Sequence, residues 1–132
     1  MAAADSNVIL RLLVQDDDRQ YAAALAFLRA SGRIFVSHVV LAEVVWGLLS
    51  VYAFPKSRVS AAIERLLDID EVDLEDSAIV ERALSDYRAS SADFSDCLIL
   101  AIAANRNELP LATFDSKLAK LDGTWKIGGR AR

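Results

Sequence analysis

Short apolar runs alternate with segments of helical periodicity along most of this chain, and that alternation narrows the fold more than any other feature. The runs are residues 2–4, Arg33 to Val36, Ile69 to Val72, Leu109 to Phe114 and Thr124 to Ile127. Between them lie longer stretches whose apolar residues recur every three or four positions. Strands separated by helices pair side by side in parallel, because each helix returns the chain to the starting edge. The expectation is therefore an α/β fold with a short and mostly parallel central sheet, in which helix outweighs strand.

Local chemistry places the helices. One reads from Val8 to Val14. The next opens at Asp16-Asp17-Asp18, where acids suit the helix dipole, and stops at Ser31-Gly32. Ser37 is a capping residue for a helix to about Tyr52. Pro55 breaks the pattern before an amphipathic helix from Ser57 to Leu67. Further helices are expected over Leu74–Tyr87 and Asp93–Asn105, with a short one over Ser116–Leu121. The chain has 132 residues, 54% of them hydrophobic, which suits one compact domain over 1–132 ending in a basic tail over 126–132.

Composition removes several classes of function. The lone Cys97 excludes an internal disulfide and a cysteine-rich zinc site. No leader-like segment follows Met1, and the nearly uncharged run from Ile34 to Pro55 is broken by Glu43 and Gly47, so neither secretion nor a membrane span is expected and a cytoplasmic location is. The net charge of −4 argues against indiscriminate nucleic-acid binding, which depends on cations meeting phosphates. An acidic chain still binds phosphates when its acids hold metal cations.

The acids themselves carry the functional signal. Asp5 and Asp115 each follow a strand, and the carboxyl ends of parallel strands share one edge where sites form. Asp93 and Asp96 open an apolar helix, where a cap and a first-turn acid would also be at home. Glu43 has no comparable structural excuse: it is the sole carboxylate in Val39-Val40-Leu41-Ala42-Glu43-Val44-Val45-Trp46. It marks either a buried carboxylate that needs a cation or the one polar point on a narrow exposed stripe. Oxygen donors alone suit Mg²⁺ or Mn²⁺ and not zinc.

The order and spacing of these pieces resemble the PIN domain, and in particular the VapC toxins of type II toxin–antitoxin systems. The pieces are Asp5-Ser6-Asn7-Val8, Glu43 in its apolar helix, Ala92-Asp93-Phe94-Ser95-Asp96, and Ala112-Thr113-Phe114-Asp115. The resemblance covers nearly the whole chain. It implies a three-layer α/β/α fold and an endoribonuclease that depends on Mg²⁺ or Mn²⁺ and hydrolyses transfer or ribosomal RNA with a metal-activated water. It also implies a homodimer and a VapB-like antitoxin. On that resemblance Asp5, Glu43, Asp96 and Asp115 are the catalytic metal-binding acids, Asp93 is auxiliary, and Ser6 and Asn7 lie in support of Asp5. The family usually carries Thr at the Ser6 position.

Other side chains have weaker claims. Lys56, Arg58, Lys117, Lys120 and the basic tail could meet phosphates, and Trp46 and Phe94 could stack on bases. His38, the only histidine, reads as a surface or cap residue. Two competing functions remain at this point: a receiver-like phosphoacceptor domain, and a catalytically silent PIN-like protein that only binds its partner. Against the first, Asp5 has no neighbouring acid and the Glu43 helix has no role.

Overall fold

Asp5 shows how tightly this chain turns from strand to helix. It sits in extended backbone after strand β1 (Ala2–Ala3) and caps helix α1 (Ser6–Leu13), its Oδ1 accepting a hydrogen bond from the Val8 amide at 3.1 Å. The computed structural model describes residues 2–128; of the basic tail, Lys126 lies within that range, whereas Arg130 and Arg132 lie outside the described residues. The chain divides into two compact units, Met1–Glu75 and Asp76–Arg132.

The first unit continues with α2 (Asp18–Ser31), β2 (Ile34–Val36), α3 (His38–Ser50), α4 (Lys56–Asp68) and β3 (Val72–Leu74). Its strands form a parallel sheet in the order β1-β2-β3, with Ala2 opposite Ile34 and Ile34 opposite Val72. Ile34 and Val36 on the central strand are fully buried. Asp17 caps α2, and Gly32 ends it in the left-handed region (φ 72°) that a residue without a Cβ adopts readily. Ser37 caps α3 as expected, its hydroxyl accepting from the Val40 amide at 3.1 Å. Gly47 lets α3 approach α1 closely: a Cβ there would lie 3.0 Å from Leu10 Cδ1. Ile9, Leu41, Leu48, Val59, Ile63 and Leu66 fill the core.

The second unit holds α5 (Ser77–Ala89), α6 (Phe94–Asn105), β4 (Leu111–Thr113), a 3-10 turn (Leu118–Lys120) and β5 (Thr124–Lys126). Helices α5 and α6 share a core in which Tyr87 meets Phe94 edge-on, ring centres 5.7 Å apart. Strands β4 and β5 are parallel, with Leu111 opposite Thr124 and Thr113 opposite Lys126. The buried Thr124 hydroxyl donates to the Leu121 carbonyl at 2.7 Å, tying the 3-10 turn to the strand.

The α/β class with parallel strands agrees with the sequence reading. Several boundaries differ, three of them for a clear local reason. The third strand starts at Val72, not Ile69, because the Ile69 amide still donates to the Arg65 carbonyl and closes α4. Asp76, not the Leu74 region, then starts α5, accepting from the Ile79 amide at 3.2 Å. The expected helix after Asp115 contracts to the 3-10 turn. Among the described residues no helix is long and apolar enough to cross a membrane.

Candidate metal centre

In the second unit, the acids at the start of α6 and the end of β4 act on one another. The Asp96 carboxyl is pushed above the usual carboxylate range, chiefly by burial and then by the negative charges of Asp115 and Asp93. Asp115 is shifted the opposite way. Its Oδ1 accepts from the Leu118 amide at 2.9 Å and the Lys117 amide at 2.7 Å, and these bonds hold its carboxyl below the usual range. The charges of Lys117 and Lys126 add to that effect. The Asp115 amide in turn donates to the Thr113 hydroxyl at 2.9 Å. Asp115 is thus clamped through one oxygen, and no hydrogen bond to Oδ2 forms among the described residues.

Asp93 corrects the capping expectation. It occupies the N-cap position of α6, yet its side chain accepts no capping hydrogen bond. Its exposed carboxylate is therefore not committed to the helix end, and it acts on Asp96 through charge alone.

In the first unit, Asp5 is an exposed cap like Asp115, tied through Oδ1 to one amide. Glu43 is also exposed, so the buried-carboxylate argument fails and the exposed-stripe alternative holds. Leu41, Val44, Val45 and Leu48 take the inward side of α3, and Val39, Glu43, Trp46 and Leu49 are left outward. Glu43 remains unusual for a different reason, since the charge stands on an otherwise apolar exposed face. Ser6 is half-buried and Asn7 is exposed beside it.

Other sequence candidates are reassigned. Phe94 is only 1% exposed and is core, so it cannot stack on a base, whereas Trp46 is 65% exposed. Arg58 lies over the Phe54 ring, 3.8 Å from its centre, so part of its role is structural. His38 starts α3; its amide donates to Glu75 Oε1 at 3.0 Å and its ring faces the same carboxylate at 4.0 Å. Glu75 was not legible as a partner, because nothing in the sequence links a strand-end acid to a residue 37 positions earlier.

Among the described residues, no three His, Cys, Asp or Glu side chains stand as a ready metal cage. The donor chemistry nevertheless fits a hard cation. Asp93, Asp96 and Asp115 offer oxygen only, and Asp96 is already destabilised as an anion by burial and then by its neighbours. Comparison with family models gives a match to the PIN domain over residues 2–124.

The chain belongs to the PIN domain family. The match runs through both units and includes Asp5, Glu43, Asp93, Asp96 and Asp115. Membership of the PIN family gives the chain a nuclease-type fold, and it removes the receiver-like alternative. Comparison with curated proteins and with solved structures returned no match.

Proposed function

We propose that this PIN domain is a metal-dependent endoribonuclease toxin of the VapC type. It cleaves cellular RNA of the transfer or ribosomal class in the cytoplasm, works as a homodimer, and is neutralised by a VapB-like antitoxin. The observation that carries the nuclease reading is the PIN match over residues 2–124, and Asp96, a half-buried carboxyl made a poor anion by burial and by Asp115 and Asp93, supports it. Carboxylates so placed gain from a cation that removes their repulsion.

We assign Asp5, Glu43, Asp96 and Asp115 as the residues that hold Mg²⁺ or Mn²⁺, with Asp93 auxiliary and Ser6 and Asn7 orienting Asp5. When bound, the cation supplies a Lewis acid that polarises the phosphodiester and acidifies a water. The chain's own contribution is positional. Asp5 and Asp115 are each fixed by a backbone amide at Oδ1, which leaves Oδ2 to offer. Asp96 holds a proton more readily than an ordinary aspartate, so a cation held there would have to compete with that proton. The family match through both units supports reading 1–132 as a single nuclease domain.

The test is a thermal shift with Mn²⁺ beside cleavage of a cellular RNA pool. A ligand that binds only the native state stabilises it. Wild type should be stabilised by Mn²⁺ and should cleave RNA only with metal, and Asp96→Asn should lose both responses. An equal Mn²⁺ shift in Asp96→Asn would refute the assignment. A folded wild type that binds a VapB-like protein but never cleaves RNA would identify the silent partner-binding alternative.

A further inference from the structure

We propose that Phe114 and Trp125, together with Lys117 and Lys126, form a subsite for single-stranded RNA beside Asp115. The inference rests on the nuclease reading and adds to it the side chains that grip the substrate.

Phe114, the residue after β4, is 75% exposed, and Trp125, within β5, is 61% exposed. Ala112 lies opposite Trp125 across the β4–β5 ladder, and the Ile127 amide extends that ladder by donating to the Thr113 carbonyl at 2.9 Å. Side chains alternate along a strand, so Ala112 and Trp125 project together, and Phe114 and Ile127, the residues that follow β4 and β5, are exposed as well. Thr124, on the opposite face, is buried, so the aromatic face is the outward one. Core packing does not explain two large rings there, because neither ring is in the core.

The same segment is cationic within an acidic chain. From Ser116 to Ile127 the charged residues are Lys117, Lys120 and Lys126 against Asp122 alone, while the whole chain carries −4. Lys126 Nζ donates to Ser116 Oγ at 2.8 Å, which sets its ammonium group beside the turn that follows Asp115. Lys126 stands on the Thr124 side of β5, next in sequence to Trp125, and its ammonium group reaches the turn that follows Phe114 and Asp115, so exposed rings and cations share one short segment, a mixture that suits the bases and phosphates of a single strand. A second copy of this chain would meet the rings but would have to desolvate the lysines. Position strengthens the case, since Phe114 precedes Asp115 directly and consecutive Cα atoms lie ~3.8 Å apart.

The experiment uses the full chain with Trp46→Phe, so that Trp125 is the only tryptophan. A short unstructured RNA is titrated in EDTA, and Trp125 emission is followed together with the dissociation constant. Saturable quenching is expected, with a duplex of the same sequence binding more weakly. In the Trp46-containing chain, Phe114→Ala or Trp125→Ala should weaken binding by about tenfold, the scale of one lost base stack. Trp125→Phe keeps a ring and should bind as its parent does, which guards against a merely misfolded Trp125→Ala. Lys117→Gln and Lys126→Gln should each flatten the salt dependence by roughly 0.7 in logarithmic slope. Unquenched emission, equal binding of duplex, or ring-removed variants that bind normally would overturn the subsite. Ring removal that changes sedimentation but not RNA binding would also overturn it, by assigning the face to a protein contact. Metal is absent throughout, so the two readings fail separately. RNA held at Trp125 but never cleaved when Mn²⁺ is restored refutes the nuclease reading alone, and cleavage indifferent to both rings refutes the subsite alone.

Discussion

Asp5 is assigned two duties, capping α1 and holding metal, and substitution can separate them. In Asp5→Ala the 3.1 Å bond from the Val8 amide is lost. Loss of an N-cap acceptor costs about 1 kcal/mol. Asp5 is exposed, so the interaction of its charge with the helix dipole adds only about 0.3 kcal/mol. Asp5→Asn keeps an acceptor oxygen at the same place and forfeits only that smaller part. For a chain of this size these costs correspond to a fall in Tm of about 3–5 °C for Ala and about 1 °C for Asn. Metal binding makes no such distinction, because a neutral amide is a poor substitute for a carboxylate on a hard cation. Both variants should therefore lose RNA cleavage by about a hundredfold or more, the order seen when a group that stabilises developing charge is removed. Paired melting curves and initial cleavage rates in Mn²⁺ give both readings. Asp5→Asn cleaving at the wild-type rate would reduce Asp5 to a cap. Asp5→Ala melting with Asp5→Asn would show that the capping bond contributes nothing.

Two further predictions follow from the second unit. Asp96 has a raised carboxyl, so the folded chain binds its proton more tightly than the unfolded chain does. Its contribution to stability is present below the ordinary aspartate range and is lost as pH rises through the raised value, so metal-free Asp96→Asn should match or exceed wild type in Tm at neutral pH; a lower Tm in EDTA would refute this. Phe94→Ala should cost about 3–5 kcal/mol, because Phe94 is 1% exposed and packs edge-on against Tyr87; urea denaturation checks it, and a cost below about 1 kcal/mol would refute the core assignment.

Much of this arrangement was legible because it rests on local chemistry. Ser37 and Asp17 are short acceptors placed just before helical patterns, and both cap. The acids at the ends of β1 and β4 could be located because a strand end needs no tertiary information. What failed needed a partner. The side of α3 that faces outward depends on what packs against the other side, and in a helix this apolar the sequence pattern is silent, so Glu43 fitted a buried site and an exposed stripe alike until the structure showed it exposed. Asp93 has the right identity for a cap, but capping also needs a side-chain orientation that no spacing encodes. Phe114 and Trp125 were overlooked because apolarity usually signals core, and only the folded chain shows both rings exposed.

The capping bonds at Asp5 and Asp115 bear on how such a sequence can change over time. A member of the family that abandoned the chemistry would still need an acceptor at both positions to close α1 and the turn after β4. Drift there should run to Asn or Ser, with Ala disfavoured. Asp93 and Glu43 close no helix, and they would be free to vary as soon as the reaction ceased to matter. Decay would therefore be uneven, erasing the positions devoted to chemistry alone and leaving a residue of the old site wherever an acid also held the backbone.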